Sequence, residues 1–143
     1  MLNIRRPNEA DLDRLLQIIN EPSIIRYMPL EKPVKMDKIV KWYQSSIMFD
    51  RPAIFVLERG SIIGACSISE KGKVTVWIDE KNQRKGYGAR AIEFMKDYAR
   101  KNGLSRLWLE CFKDNIGALA FYSHLGFNKI GEKGNELVME LKI

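Results

Sequence analysis

Asn115-Ile116-Gly117-Ala118-Leu119-Ala120-Phe121-Tyr122-Ser123-His124-Leu125-Gly126-Phe127 follows an apolar run, Arg106-Leu107-Trp108-Leu109-Glu110-Cys111-Phe112, that reads as a strand. Ala118 to Leu125 predicts a helix, and Gly126 sits where a glycine would stop it. Tyr122 lies on that helix, twelve positions after Glu110. His124, the one histidine, lies two residues past Tyr122, so helical geometry aims it elsewhere, toward solvent.

Upstream of this block stands a second one, Gln83-Arg84-Lys85-Gly86-Tyr87-Gly88-Ala89, between an expected strand, Lys73–Ile78, and an expected helix, Gly88–Asn102. Successive backbone N–H groups in such a turn point into one concavity, and the following helix adds its positive end. Glycine at 86 and 88 leaves room for an anion or supplies dihedrals that other residues avoid. Arg84 and Lys85 add formal charge, so a pyrophosphate is the natural guest. An ordinary strand-to-helix loop with two glycines would look the same in isolation. Gly86-Tyr87-Gly88-Ala89-Arg90-Ala91 also fits a G-x-G-x-x-A dinucleotide fingerprint, with Glu110 near the place of a ribose-binding acid. That reading makes the chain an NAD-type oxidoreductase. Against it, Asp79 to Lys85 separate the strand from the first glycine, and too little chain follows Glu110 to complete a doubly wound sheet.

Further out, Leu2–Arg5 reads as a short strand, and Asn8 as the cap of a helix carrying Leu12, Leu15, Leu16 and Ile19 on one face. Pro22 to Pro33 reads as irregular, and Met36–Ser46 as a second helix with Ile39, Val40 and Tyr43 inward. Ala53–Glu58 and Ser61–Ile68 flank Arg59-Gly60 as a hairpin. Strands near Phe127–Ile130 and Glu136–Leu141 close the chain. Hairpins followed by a crossover helix predict a mixed sheet with helices on its faces.

The two blocks together resemble the GNAT N-acetyltransferases, whose signature is Q/R-x-x-G-x-G/A, a strand, then N-x-x-A-x-x-F/L-Y-x-x-x-G-F. Gln83, Gly86, Gly88, Asn115, Ala118, Phe121, Tyr122, Gly126 and Phe127 fill its positions. The resemblance implies an α/β (mixed α+β) fold of the acyl-CoA N-acyltransferase type over residues 1–143, one domain, with a mostly antiparallel central sheet and about four helices. It implies acetyl-CoA as cosubstrate, with its pyrophosphate on Arg84, Lys85, Gly86, Tyr87, Gly88 and Ala89 after Gln83. Backbone groups of Val76, Trp77 and Ile78, on a bulged and splayed strand, would hold the pantetheine arm and acetyl carbonyl, and Asn115 the arm. Tyr122 would stand by the sulfur as general acid. The Glu110/Tyr122 spacing resembles the ribosomal-protein alanine N-acetyltransferases, which makes Glu110 the candidate base, with a raised pKa, against ordered water. Glu70 and Asp79 are weaker candidates. The acceptor amine would meet Glu21 to Trp42, where Arg26-Tyr27-Met28-Pro29 and Trp42-Tyr43 either line a pocket or pack the helices onto the sheet, and Glu21 and Glu31 would attract a cation. The acceptor class stays open among a protein N-terminus, a lysine and a small amine. A catalytically silent CoA-binding or nucleic-acid-binding module on the same scaffold is the remaining alternative.

Bulk properties agree with this. The chain has 143 residues, 45% hydrophobic and 29% charged, which is globular composition. A net charge of +6 suits an anionic partner or a merely soluble surface, and nucleic acid is disfavoured as the partner. Cys66 and Cys111 lie in strand-like runs and read as buried free thiols. Two cysteines and one histidine make no metal pattern. No apolar run suits a bilayer or a signal peptide, so a cytoplasmic place is expected. A homodimer is compatible with the resemblance.

Overall fold

The structure, a computed structural model, describes residues 1–143. Its strands are β1 (Asn3–Arg5), β2 (Ala53–Arg59), β3 (Ser61–Ile68), β4 (Val74–Ile78), β5 (Arg106–Phe112), β6 (Asn128–Lys133) and β7 (Glu136–Lys142). Its helices are α1 (Leu12–Ile19), α2 (Pro22–Ile25), α3 (Met36–Phe49), α4 (Tyr87–Lys101) and α5 (Ile116–His124). The strands form two half-sheets, β1-β2-β3-β4 and β5-β7-β6, antiparallel throughout. One parallel bridge, Lys73 to Trp108, joins them. The mixed, mostly antiparallel α/β class is as expected. A doubly wound parallel sheet is not present, and the dinucleotide-fold reading ends there.

Local chemistry explains the elements. Asn8 caps the first turn: its side chain accepts from the Ala10 N–H at 3.0 Å, while Asp11 accepts from the Asn8 N–H at 2.8 Å. Leu15, Ile18 and Ile19 of α1, with Ile39 of α3, bury against Val56, Ile62, Ala65 and Trp77 on one face of the first half-sheet. On the opposite face, Ala91, Ile92, Met95 and Ala99 of α4 pack on Phe55, Leu57, Cys66 and Ile68. The same helix reaches Leu107, Leu109 and Met139 of the second half-sheet, so one core spans both.

Several boundaries differ from expectation by a residue or two, and three departures are larger. The Pro22–Pro33 stretch contains a helical turn, α2, because Pro22 at its first position presets φ where no N–H is needed. Helix α3 runs past Ser46 to Phe49 and ends at Asp50 in a left-handed conformation. Strand β6 begins at Asn128 and continues to Lys133, bending at a register shift between Lys129 and Gly131.

Candidate active site

The segment leading into α4 is fixed from behind. Asp79 is buried, ion-paired to Arg14 at 2.9 Å, and accepts from the Asn82 backbone N–H at 3.1 Å and Nδ2 at 2.7 Å. Gln83 Nε2 donates to the Ile78 carbonyl at 2.9 Å and to Ser23 Oγ at 3.4 Å. The chain then turns through two left-handed residues, Arg84 (φ +61°) and Gly86 (φ +86°), before α4 begins. From Arg84 through Ala89, no backbone N–H donates a hydrogen bond within the protein. Such a run of open amides at a helix N-terminus is an anion cradle. Arg84, Lys85 and Arg90 are exposed around it.

The two glycines have different reasons. At Gly86 a Cβ would meet nothing, so its requirement is the positive φ alone. At Gly88 a Cβ would stand 3.0 Å from Phe121 Cζ, so this position is small because α5 packs against it. The Tyr87 side chain turns inward, its hydroxyl accepting from Arg59 at 2.7 Å.

Beside the cradle the half-sheets part. Strands β4 and β5 run parallel, touch at Lys73 and Trp108, and make no further pairing toward Ile78 and Phe112. The register of β4 on β3 runs evenly from Ile68/Val74 to Gly64/Ile78, so the opening lies between β4 and β5 with no register shift in β4. Ser69 N–H donates to Lys73 O and Asp79 N–H to Ile63 O, which assigns the odd-numbered residues of β4 to pairing with β3. Val76 and Ile78 therefore turn their backbone groups to the gap, and Trp77 turns its own to β3. The Trp77 ring stacks on Trp42 at 6.1 Å.

Helix α5 lines the same end of β5. Tyr122 packs edge-on against Phe121 and Phe127, at 5.1 and 5.5 Å. Its hydroxyl makes no hydrogen bond within the protein and keeps only a trace of solvent exposure. Burial and the neighbouring Cys111 push its pKa well above the usual phenol value, which keeps it protonated at neutral pH. The Cys111 thiol is pushed up to about 11, by burial first and then by Glu136 and Asp114. Cys66 goes to about 12 by burial. Both are free and buried. Asn115 caps α5, its side chain accepting from the Ala118 N–H at 3.4 Å. His124 is exposed.

Glu110 has surroundings opposite to those expected of a base. Its Oε1 lies 2.5 Å from Lys73 Nζ and its Oε2 3.2 Å from Lys133 Nζ. The Lys73 hydrogen bond outweighs burial and holds its pKa below the ordinary carboxylate value. The expected raised value is corrected on that ground. The raised carboxylate is its neighbour Glu136, lifted by burial and by Glu110 itself. Sequence reading missed Glu136 because only the β5/β7 pairing of Phe112 with Glu136 brings it there. Glu70 is exposed and pairs with Arg51, and Asp79 is held by Arg14.

On the other side of β4, Trp42, Tyr43, Met28 and Leu30 pack partly buried against the α1/α3 core, while Glu31 is exposed. Glu21 accepts from the Glu80 N–H at 2.8 Å, which ties the α1–α2 turn to the approach of the cradle. No three His, Cys, Asp or Glu side chains gather at metal-binding spacing.

The family model described as the acetyltransferase (GNAT) family matches residues 12–127. The chain belongs to that family. It is 28% identical over 85 residues to an uncharacterised N-acetyltransferase of Bacillus subtilis, covering 59% of this chain and 33% of that protein. It is 36% identical over 62 residues to the ribosomal protein bS18 alanine N-acetyltransferase of Escherichia coli, 43% of this chain and 42% of that one. The matched stretch thus spans less than half of either relative. Among solved structures, a ribosomal-protein-alanine N-acetyltransferase from Brucella melitensis superposes with a TM-score of 0.84 at 21% identity, covering 99% of both chains. An acetyltransferase from Salmonella typhimurium with acetyl-CoA superposes at 0.80 and 20% identity, over 99% of this chain and 94% of that one. These two likenesses are of fold.

Proposed function

We propose that this GNAT chain transfers the acetyl group of acetyl-CoA to a primary amine by direct attack, both reactants held in the gap between β4 and β5. The observation that carries the reading is the run of open amides from Arg84 to Ala89 at the mouth of α4, next to that gap. The amides hold the pyrophosphate, with Gln83 shaping the approach and Arg84 and Lys85 adding charge. The pantetheine arm follows the free edge of β4, and N–H groups of Val76 and Ile78 face the acetyl oxygen, where they stabilise the tetrahedral oxyanion. Trp77 supports that edge by its packing. Asn115 meets the arm from the start of α5.

An amine of pKa about 10 must lose a proton before it attacks the thioester carbon. Nitrogen then bonds to that carbon, the C–S bond breaks, the departing thiolate takes the Tyr122 phenol proton, and the second proton that nitrogen sheds on becoming an amide returns to the phenolate through water. The ammonium proton leaves through ordered water, a route supported over Glu110 by the two lysines that already engage that carboxylate. The acceptor is a protein N-terminus, a lysine or a small amine. The Escherichia coli relative makes an alanine-initiated peptide the first acceptor to try. A cytoplasmic place of action fits acetyl-CoA chemistry and two free thiols.

Calorimetry tests this reading. Acetyl-CoA is expected to bind on the order of micromolar, and NAD not at all. Gly86→Asp should weaken acetyl-CoA at least about tenfold, while Gly86→Asn, which tolerates the same φ without a charge, should weaken it less. Tyr122→Phe should keep that affinity and lower kcat about 100-fold. An unchanged affinity in Gly86→Asp removes the pyrophosphate from this loop.

A further inference from the structure

Strand β4 is fastened to β5 through three residues at its start. Trp108 donates its backbone N–H to the Gly72 carbonyl at 3.0 Å and its indole N–H to the Lys71 carbonyl at 3.2 Å. The Lys73 ammonium lies 5.3 Å from the Trp108 ring centroid and reaches Glu110. Gly72 has φ +88°, and a Cβ there would stand 2.6 Å from the Arg106 carbonyl oxygen, so only glycine allows this approach.

Glu110 is two residues beyond Trp108 along β5, toward the end where the strands separate. Its side chain is 9% exposed, and its two oxygens hold ammonium groups from the start of β4 and the end of β6. The carboxylate is therefore the last side-chain tie across the seam before the gap opens. A proton acceptor at this place would take its proton against two ammonium groups that favour the ionised form. We propose that Lys73 and Glu110 form a clamp that sets the opening angle of the β4/β5 cleft, so that Glu110 is a positioning residue for the acyl carrier.

The clamp fixes how far the free edge of β4 stands from β5, and thereby how well Val76 and Ile78 present their amides to a thioester threaded between them. This rests on acetyl-CoA being the guest of the cleft. Removing either partner loosens the seam while leaving the Gly72–Trp108 hydrogen bond, so the chain stays folded with a cleft of less defined width.

The test uses the full chain as wild type, Lys73→Met, Glu110→Gln and the double variant. Acetyl-CoA affinity is read by calorimetry, stability by urea unfolding, and the pH profile with an alanine-initiated peptide as acceptor. Each single variant should weaken acetyl-CoA roughly three- to tenfold, and the double variant no more than the worse single one, because both break one interaction. KM for acetyl-CoA should rise more than kcat falls, and the acid limb of the profile should keep its pH in Glu110→Gln. Loss of that limb in Glu110→Gln with affinity intact would make Glu110 the base and overturn the proposal, as would additive effects in the double variant. If wild type binds no acetyl-CoA, the functional reading fails by itself. Urea unfolding still judges the clamp, where non-additive losses support it and additive ones overturn it.

Discussion

The two half-sheets have the same antiparallel chemistry and opposite surroundings. In β2 and β3 nearly every residue is buried, because α1 and α3 cover one face and α4 the other. In β5 burial alternates strictly: Leu107, Leu109 and Cys111 face α4 and α5, while Arg106, Trp108, Glu110 and Phe112 face away from that core. A sheet covered on both sides reads as continuous apolar sequence, and one covered on a single side reads as alternation. The uncovered face of the second half-sheet is where the charges collect, with Arg106 on Glu140 at 2.6 Å and both lysines on Glu110. The first half-sheet is covered on both faces, and the second leaves one charged face open.

A matched pair of truncations, one in each half-sheet, breaks or upholds this contrast. Leu57, wholly buried in β2, should cost about 3–4 kcal/mol as Leu57→Ala, from lost transfer energy plus a cavity. Val138, half-buried opposite Glu110 in β7, should cost about 1 kcal/mol as Val138→Ala. Urea unfolding measures both. Equal losses would mean that the outer face of the second half-sheet is packed as tightly as the core.

Sequence reading located the strands of both half-sheets because each is a local pattern, an apolar run in β2, β3 and β5 alike. It located Gln83–Ala89 and the Asn115–Phe127 block for the same reason. What it misjudged depends on contacts between distant positions. Gly88 is small because of Phe121, and the Glu110 carboxyl is lowered because Lys73 and Lys133 arrive from other strands. The end of α3 was hidden in another way: Ile47, Met48 and Phe49 are 60%, 69% and 59% exposed, so the last turn has an apolar sequence without an apolar environment.

The α1–α2 turn, proposed to face the acceptor, is tied to the approach of the cradle. Glu21 was expected to attract a cation, and one of its carboxylate oxygens accepts from the Glu80 amide. Glu21→Ala should leave that amide to water, costing about 1 kcal/mol in unfolding. If the α1–α2 turn steadies the approach to the cradle, acetyl-CoA affinity should also fall, about twofold to threefold, even though the Glu21 hydrogen bond goes to Glu80 and not to the loop from Arg84 to Ala89. Loss of stability with unchanged affinity would separate the two sides and make the tie structural only.

The smallest effect has a sign that distinguishes the two glutamates on the open face. Glu110 has a lowered folded pKa, so its stabilising contribution is present above the unfolded value of about 4.3 and is lost as pH falls through the folded value. Glu136 has a raised one, from burial and then from Glu110, with Lys133 and Lys73 opposing. Folding favours its protonated form, so its penalty is absent at low pH and grows as pH rises from the unfolded value through the folded one. Because the groups touch, they titrate as a pair with one carboxylate ionising ahead of the other. Glu136→Gln should therefore raise Tm at pH 7.5 by roughly 1–3 °C and leave it unchanged near pH 4, while Glu110→Gln lowers it at pH 7.5. A Glu136→Gln protein that melts lower at pH 7.5 would mean that the lysines, and not the neighbouring carboxylate, dominate at Glu136, and the open face would then be a balanced ion-pair network with no proton held between its two acids.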